Sequence, residues 1–345
     1  MQIIVTIKSF DSNLKQFDFL IPSIRSAMES VIKQLVTLEK PYININNLVA
    51  VHFTENYQEE LFAFQKSIGQ HAFATKNKIA EGHAQVVATK DGYHIFFSKL
   101  IPMFIVIGQF LENNSDKIDI DNLKQIVLEK KNLLRVIRHE LSHVEDEDNQ
   151  KSWPWFKHAF DEYNLQNILR FDAHRLWEEY YACRRSNYFY DLDGISEEIN
   201  NLLSNLDKAE KEICDLRWKY NTNEIDLDTF IRLLHEYIRS AFIYCCYFMG
   251  HTDRVADDLM DKIIQTEYPS RFFHLIPDMW KALKSMVRVY PQWDNPEIYD
   301  ELSSIVLHCI ESFEIYPRET DEGVYYDIPP KKLMPKKEMS KEVRS

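Results

Sequence analysis

Apolar residues recur at helical spacing through the middle of the chain. From Asp121 to Glu147 they form one side of a helix, made up of Leu123, Ile126, Val127, Leu133, Leu134, Ile137, Leu141 and Val144. Residues 164–189 repeat this pattern. Apolar positions three and four residues apart are typical of a helix with one buried face. The pattern predicts two long helices, the first of which ends near Glu147 in an exposed acidic run.

The residues before position 100 show a mixed pattern. Apolar residues at helical spacing from Ser23 to Glu39 predict one helix, whereas "NLVAVHFTEN" and "GHAQVVATKDGYHIFFSKL" are typical of strands. The second stretch contains Asp91-Gly92, a dipeptide favoured in tight hairpin turns. We therefore expect a small sheet, including one hairpin, in this part of the chain.

The pattern changes again after Asp193-Gly194. Apolar residues then alternate steps of three and four, as in a short coiled-coil seam, at Ile199, Leu202, Leu206, Ala209, Ile213, Leu216 and Tyr220. After the turn "NTNEIDLD", helical spacing continues from Phe230 to Phe248. An antiparallel helical hairpin is therefore predicted. Further helices are predicted over residues 254–266, 277–289 and 296–313.

Together these elements predict an α+β fold with two domains. Residues 1–192 would form a domain with a small sheet and the two central helices. Residues 193–328 would form an all-helical domain that contains the long hairpin. Residues 329–345 are rich in lysine and predict a basic, disordered tail. Only 7 glycines and 12 prolines occur in 345 residues, which favours long helices over a loop-rich β fold.

Charge and cysteine content narrow the functional classes. A formal net charge of −13 argues against a general nucleic-acid or anionic-membrane binder, since either needs a basic surface. No apolar run is long enough to cross a bilayer, and the first residues lack the pattern of a signal peptide. The 5 cysteines include no CxxC pair. These features lead us to expect a cytoplasmic protein.

The stretch "RVIRHELSHVEDED" places two histidines on one face of the first long helix. His139 and His143 are four residues apart, so their imidazoles lie about one helical turn from each other. Zinc binds imidazole nitrogen readily, and a catalytic zinc has three protein ligands and one position for water. Glu140 lies about 100° around the helix from His139, where a carboxylate can accept a proton from that water. The alternative is a pair of ordinary histidines on a buried helix.

These residues resemble the HExxH signature of the zincin metallopeptidases. The metzincin branch extends it with a glycine and a third histidine, and Asp146 and Asn149 occupy those positions here. The gluzincin branch instead takes a glutamate from a later helix, commonly in an ExxA context, which residues 179–182 match ("EYYA"). The resemblance thus implies that Zn²⁺ is held by His139, His143 and Glu179.

Other residues compete for the third ligand position. Glu178 adjoins Glu179 and would face about 100° around the helix. His158 follows His143 by 15 residues, a spacing similar to that of SprT-like proteases, although Ala159 stands where a glycine is expected. Cys183 replaces an aspartate that often follows the ExxA alanine, so the usual support for a ligand histidine is altered.

The resemblance also implies a fold and an activity. It covers about residues 45–190 and implies a minimal zincin-like domain, with Gly82–Thr89 as an edge strand that pairs with extended peptide. The expected function is zinc-dependent hydrolysis of peptide bonds, with Glu140 as general base and a protein or peptide as substrate. Tyr180, Tyr181 and His251 are candidates for stabilising an oxyanion. The alternative is a catalytically silent zincin-like protein that binds a protein partner, for example through the helical C-terminal domain.

Overall fold

The structure is a computed structural model that describes residues 1–10, 12–38, 40–71, 76–77, 80–81, 84–113, 120–189, 195–253 and 268–329. Within these ranges the helices are α1 (Ile24–Val36), α2 (Tyr57–Ser67), α3 (Leu100–Glu112), α4 (Ile120–Ser152), α5 (Leu165–Ser186), α6 (Ile195–Asn221), α7 (Leu227–Thr252), α8 (Ile276–Val289) and α9 (Asp300–Ser312). The strands are β1 (Gln2–Val5), β2 (Leu48–Thr54), β3 (Lys76–Asn77), β4 (Ala80–Glu81), β5 (Ala84–Thr89), β6 (Gly92–Ser98), β7 (Tyr316–Thr320) and β8 (Gly323–Asp327). The α+β class expected from the sequence is confirmed.

The main sheet has four strands in the order β1-β2-β6-β5. Strands β1, β2 and β6 are parallel, whereas β5 runs antiparallel to β6 at the edge of the sheet. The β5–β6 hairpin pairs Thr89 with Gly92. Its two loop residues are therefore residues 90 and 91, which begin one position before the predicted turn dipeptide Asp91-Gly92. Gly92 has φ +131°, and a Cβ there would lie 2.2 Å from the carbonyl oxygen of Asn47. The hairpin therefore requires glycine at this position.

Side chains of alternate residues pack on opposite faces of this sheet. Ile95 and Phe97 of β6 belong to a core that also includes α1, α3 and α4. Phe96, between them, packs with Leu61 of α2 and Val87 of β5 on the other face. The helix that carries the histidine pair, α4, therefore packs against one face of the sheet, and it also contacts the edge strand β5.

Two helices in this region were not predicted. Helix α2 has a weakly amphipathic sequence, but Asn56 precedes it and Glu59 and Glu60 stand in its first turn. These are helix-start signals that could have identified it. Helix α3 is buried between neighbouring elements and is apolar nearly all round. A helix without a polar face shows no clear periodicity of apolar residues, so the sequence pattern did not identify it.

The chain divides into two compact units, and each contains several separate segments. The first comprises Met1–Ser152, Glu178–Asp193 and Met249–Asp257, and the second comprises Trp153–Trp177, Gly194–Phe248 and Asp258–Ser345. The predicted boundary at residue 192 falls within residues 190–194, outside the described residues. Among the described helices, none combines the length and the apolarity that crossing a bilayer requires.

The second unit is mainly helical, but the prediction of an all-helical domain was wrong. Strands β7 and β8 form an antiparallel hairpin, which alternating residues and Gly323, at φ +134°, allow. Tyr326 of β8 and Asp172 of α5 each lie within hydrogen-bond distance of the His235 ring, at 2.9 and 2.6 Å. This contact holds the hairpin against the helices of the unit.

The predicted helical faces of the second unit match its buried residues. Five positions of the α6 seam are buried, namely Leu202, Leu206, Ala209, Ile213 and Leu216. Helices α8 and α9 correspond to the predicted helices over residues 277–289 and 296–313, with a short 3-10 segment at Pro296–Tyr299 before α9. The helix predicted over residues 254–266 lies outside the described residues, as do residues 330–345 of the tail predicted over residues 329–345.

Candidate metal centre

Helix α4 aims the two histidine side chains of the HExxH motif at one point. The Nε2 atoms of His139 and His143 lie 3.0 Å apart. Ile137, Leu141 and Val144 are fully buried on the core-facing side of the same helix, which fixes the rotation of the helix about its axis. The histidine pair therefore occupies an adjacent face whose direction is set by packing.

Helix α5 adds a carboxylate to this pair. An oxygen of Glu179, Oε2, lies 3.4 Å from Nε2 of His139 and 3.8 Å from Nε2 of His143. The three donor atoms all lie within 4.8 Å of one another. The exposed fractions of the three side chains are 12–17%, so the donors are largely shielded from bulk water while a part of the site stays accessible.

These distances fit a single divalent ion. Two nitrogen ligands about 2.05 Å from a tetrahedral zinc lie roughly 3.3 Å from each other, and the observed separations from 3.0 to 3.8 Å bracket that value. Two imidazoles and one carboxylate are also a donor set that zinc accepts. The residues present therefore fit a zinc ion, with one coordination position left for another ligand.

A buried polar cluster joins α4 to α5 near this centre. The carboxylate of Glu145 accepts hydrogen bonds from the Tyr181 hydroxyl at 2.6 Å, from Nε of Arg185 at 3.1 Å and from the backbone N–H of Asn44 at 2.9 Å. Arg138, which is fully buried, donates to the carbonyl oxygen of Arg185. These bonds set the position of α5 along α4 and hence the position of Glu179.

The sequence predicts that the acidic run after the motif is an exposed helix end, and this prediction was wrong. Helix α4 continues to Ser152, and Glu145 and Asp146 are 7% and 1% exposed. Buried carboxylates need partners. Tyr181 and Arg185 of α5 supply them for Glu145, and Gln150 of α4 itself supplies one for Asp146. Within the run, Glu145 therefore docks α5 on α4.

The outer side of the His139 ring faces a thiol. Its Nδ1 atom lies 3.6 Å from Sγ of Cys183 on α5. His251 of α7 also hydrogen-bonds this thiol. Burial alone would raise the pKa of Cys183, but the two imidazoles outweigh burial and lower the pKa to about 7. Cys183 therefore occupies the place where a carboxylate had been expected.

The ionisable groups around the three converging donors stabilise a positive charge at this position. Burial would lower the pKa of His139, but Cys183 and Glu179 outweigh it and raise the pKa well above the ordinary value. Burial also raises the pKa of Glu140 to about 7, with Glu179 and Cys183 acting in the same direction and His139 opposing. A positive charge at this point, carried by a proton or by a metal ion, is stabilised by its surroundings.

Tyr57, at the start of α2, is a residue of this region that sequence reasoning missed. Burial raises the pKa of its hydroxyl, and the charge of Glu140 raises it further. The ring packs against the small cluster that contains Val87 of β5. A tyrosine at the start of an unpredicted helix offers no sequence signal for this position.

The competing candidates lie elsewhere or have other partners. Among the described residues, neither His158 nor Glu178 belongs to the group of converging donors. His158 belongs to the second unit, and its Nδ1 lies 2.6 Å from Asp161 on an exposed surface. Of the candidates for oxyanion stabilisation, Tyr181 donates its hydroxyl to Glu145 and His251 lies beside Cys183.

Comparisons with protein-family models, with curated proteins and with solved structures found no match for this chain.

Proposed function

We propose that this protein is a zinc-dependent peptidase similar to the gluzincins. The observation that carries the proposal is the convergence of His139, His143 and Glu179, whose donor atoms lie within 4.8 Å of one another although two separate helices supply them. Chance histidine pairs on a helix are common, but a third donor at matching distance is a much stronger constraint. The fit to zinc distances supports the same conclusion.

A bound zinc ion would supply Lewis-acid chemistry, in that it polarises a carbonyl group and lowers the pKa of water toward about 7. The three proposed ligand residues would hold such an ion in a mostly buried site. Their low exposure strengthens electrostatic interactions there, because little bulk water screens them.

In this proposal Glu140 is the general base. Its carboxylate accepts a proton from the attacking water and later delivers it to the amine that leaves. Residue 140 adjoins the ligand His139 on α4 without being one of the converging donors. Residue 140 is half-buried, and its carboxylate interacts electrostatically with His139 and Glu179.

The edge strand β5 is the proposed docking site for substrate backbone. Because Thr89 pairs with Gly92 across a two-residue loop, the N–H and C=O groups of residues 84, 86 and 88 point away from β6. The Ala88 oxygen already accepts a bond from the side chain of Gln70 at 2.9 Å, which agrees with this direction. Within the described part of the chain no other strand pairs with this edge of β5, and Ala84 and Val86 are therefore proposed to pair with an extended peptide.

The test compares turnover of a peptide library by wild type and by Glu140→Gln, each with and without a metal chelator. Glu129→Gln, which changes another carboxylate of α4, is the matched control. We expect the chelator and Glu140→Gln each to abolish cleavage, while Glu129→Gln cleaves normally and Glu140→Gln still binds zinc.

Two results would contradict the proposal. Undiminished cleavage by Glu140→Gln removes the general base from the mechanism. A wild-type protein that binds zinc but cleaves no peptide points to a catalytically silent binding protein.

A further inference from the structure

The two nitrogens of the His139 ring face different partners. Nε2 faces the other metal ligands, with His143 at 3.0 Å and Glu179 at 3.4 Å. Nδ1 faces the sulfur of Cys183 at 3.6 Å. A neutral imidazole carries one proton, and a ligand nitrogen must present its lone pair. When Nε2 binds a metal ion, the proton therefore lies on Nδ1 and points at the sulfur.

We propose that Cys183 is a positioning residue of the metal centre. Its sulfur accepts the Nδ1–H of His139, and this bond holds the ring in the tautomer and the orientation that present Nε2 to the ion. The inference rests on the proposed function, because it concerns a ligand of the proposed zinc. Outer hydrogen bonds of this kind contribute about 10–100-fold to metal affinity.

Helix α5 places this acceptor and a ligand on the same face. Cys183 follows Glu179 by four residues, so the two side chains lie one above the other on the helix. Cys183 is 2% exposed, and water therefore does not compete for the Nδ1–H. One rigid helix thus supplies one ligand directly and orients a second.

Helix α7 closes the other side of the thiol. Gly250 approaches so closely that a Cβ there would lie 2.6 Å from Cβ of Cys183. The neighbouring His251 is 8% exposed and hydrogen-bonds the sulfur. The sulfur is therefore held between two imidazoles, and its position is not free to drift away from His139.

The length of the side chain at position 183 is part of this assignment. A serine oxygen would lie closer to its own Cβ than the sulfur does, and so farther than 3.6 Å from Nδ1, whereas an N–H···O bond needs about 2.9 Å. An aspartate is longer and reaches toward Nδ1. Replacing Cys183 by alanine or serine should therefore remove the hydrogen bond to Nδ1 of His139, whereas replacing it by aspartate should keep such a bond.

Zinc affinity, measured by competition with a chromophoric chelator, tests this role without any assay of activity. We expect Cys183→Ala and Cys183→Ser to bind zinc about 10–100-fold more weakly than wild type, and Cys183→Asp to bind it within about threefold. Cys245→Ala is the matched control, because Cys245 is also fully buried and its loss removes a sulfur from a different place. Its zinc affinity should equal that of wild type.

Nitrogen-15 NMR of the zinc-loaded protein gives a second readout. In wild type the Nδ1 of His139 should carry a slowly exchanging proton, and in Cys183→Ala that proton should exchange rapidly. If Cys183→Ala does not fold, the wild-type spectrum decides, because an unprotonated Nδ1 overturns the proposal. Zinc affinity of folded Cys183→Ala equal to wild type also overturns it, and leaves the proposed function intact. A wild-type protein that binds no zinc overturns both.

Discussion

Gly250 gives a sharp test of how α7 and α5 shape the candidate metal centre. The substitution Gly250→Ala adds one methyl group where the two helices touch. Its Cβ would lie 2.6 Å from Cβ of Cys183, 2.7 Å from the carbonyl oxygen of Tyr180 and 3.0 Å from the backbone nitrogen of Arg184. Two of these three atoms belong to backbone, which cannot turn aside as a flexible side chain does.

The loss in the free energy of unfolding that Gly250→Ala causes follows from those distances. Carbon atoms in contact lie about 3.5–4.0 Å apart, so α5 and α7 must separate by about 1 Å. Overpacking of this kind costs about 1–3 kcal/mol, while replacing a helical glycine by alanine returns up to about 1 kcal/mol. We therefore expect a net loss of about 1–2 kcal/mol in the free energy of unfolding. At roughly 2–4 °C per kcal/mol, the Tm should fall by several degrees.

The effect on the metal should be larger than the effect on stability. Zinc–ligand distances are tolerated within about 0.2 Å, and Glu179 precedes the displaced Tyr180 on α5. A shift near 1 Å should therefore weaken zinc binding at least about tenfold. Chelator competition measures the affinity, and thermal unfolding followed by circular dichroism measures the Tm.

A control on the same helix separates packing from helix propensity. Ser240→Ala also places an alanine within α7 and should change the stability by less than about 0.5 kcal/mol. If Gly250→Ala instead raised the Tm and left zinc affinity unchanged, the two helices would not be in direct contact at this point. Such a result would refute a close approach of α5 and α7 at Gly250.

Three further predictions concern other parts of the first unit. His143→Ala removes one of the three proposed ligands, so its zinc affinity, measured by competition, should fall by more than the roughly 100-fold that an outer hydrogen bond contributes. A stoichiometric zinc content of this variant would contradict the proposed ligand set. Val86→Pro removes an N–H that points away from β6 and should lower kcat/KM for peptide cleavage without unfolding the protein. The control Val87→Pro removes a hydrogen bond between β5 and β6 and should destabilise the protein. Equal peptide cleavage by Val86→Pro and wild type would exclude pairing of the substrate backbone with β5. Burial, aided by the charge of His94, lowers the pKa of His52 to about 4. The unfolded chain therefore protonates this histidine first as the pH falls below about 6.5, so His52 by itself should contribute a loss of up to about 2 kcal/mol between pH 7 and pH 5. His52→Phe should lack this contribution, and an identical pH dependence of the urea-unfolding free energy in wild type and His52→Phe would refute it.

Part of the candidate site could be predicted from local sequence alone. His139 and His143 share a face because a helix repeats every 3.6 residues, and the apolar residues around them identify that helix without reference to the rest of the chain. The ExxA context pointed to Glu179 only through a family resemblance. Nothing in the local pattern distinguishes Glu179 from Glu178, which stands beside it on the same helix.

The environment of the ligands could not be predicted in this way. Cys183 departs from the aspartate expected at this position, and its contact with His139 depends on how α5 docks on α4. The bonds that Glu145 accepts from Tyr181 and Arg185 decide that docking, and both partners lie more than 30 positions away in the chain. Gly250 gave no signal, because its importance comes from a neighbour on another helix.

By itself the sequence determined helices α1 and α4–α9, the β5–β6 hairpin and the histidine pair, because each of these depends on the spacing of residues that are close in the chain. Only the tertiary structure decided that Glu179 completes the group of donors, that a thiol faces the outer nitrogen of His139, and that α7 adds Gly250 and His251 behind it. The physical reason is that a metal centre needs atoms within a few ångströms of one point. Distances between separate helices are set by packing and buried hydrogen bonds, and no local periodicity encodes them.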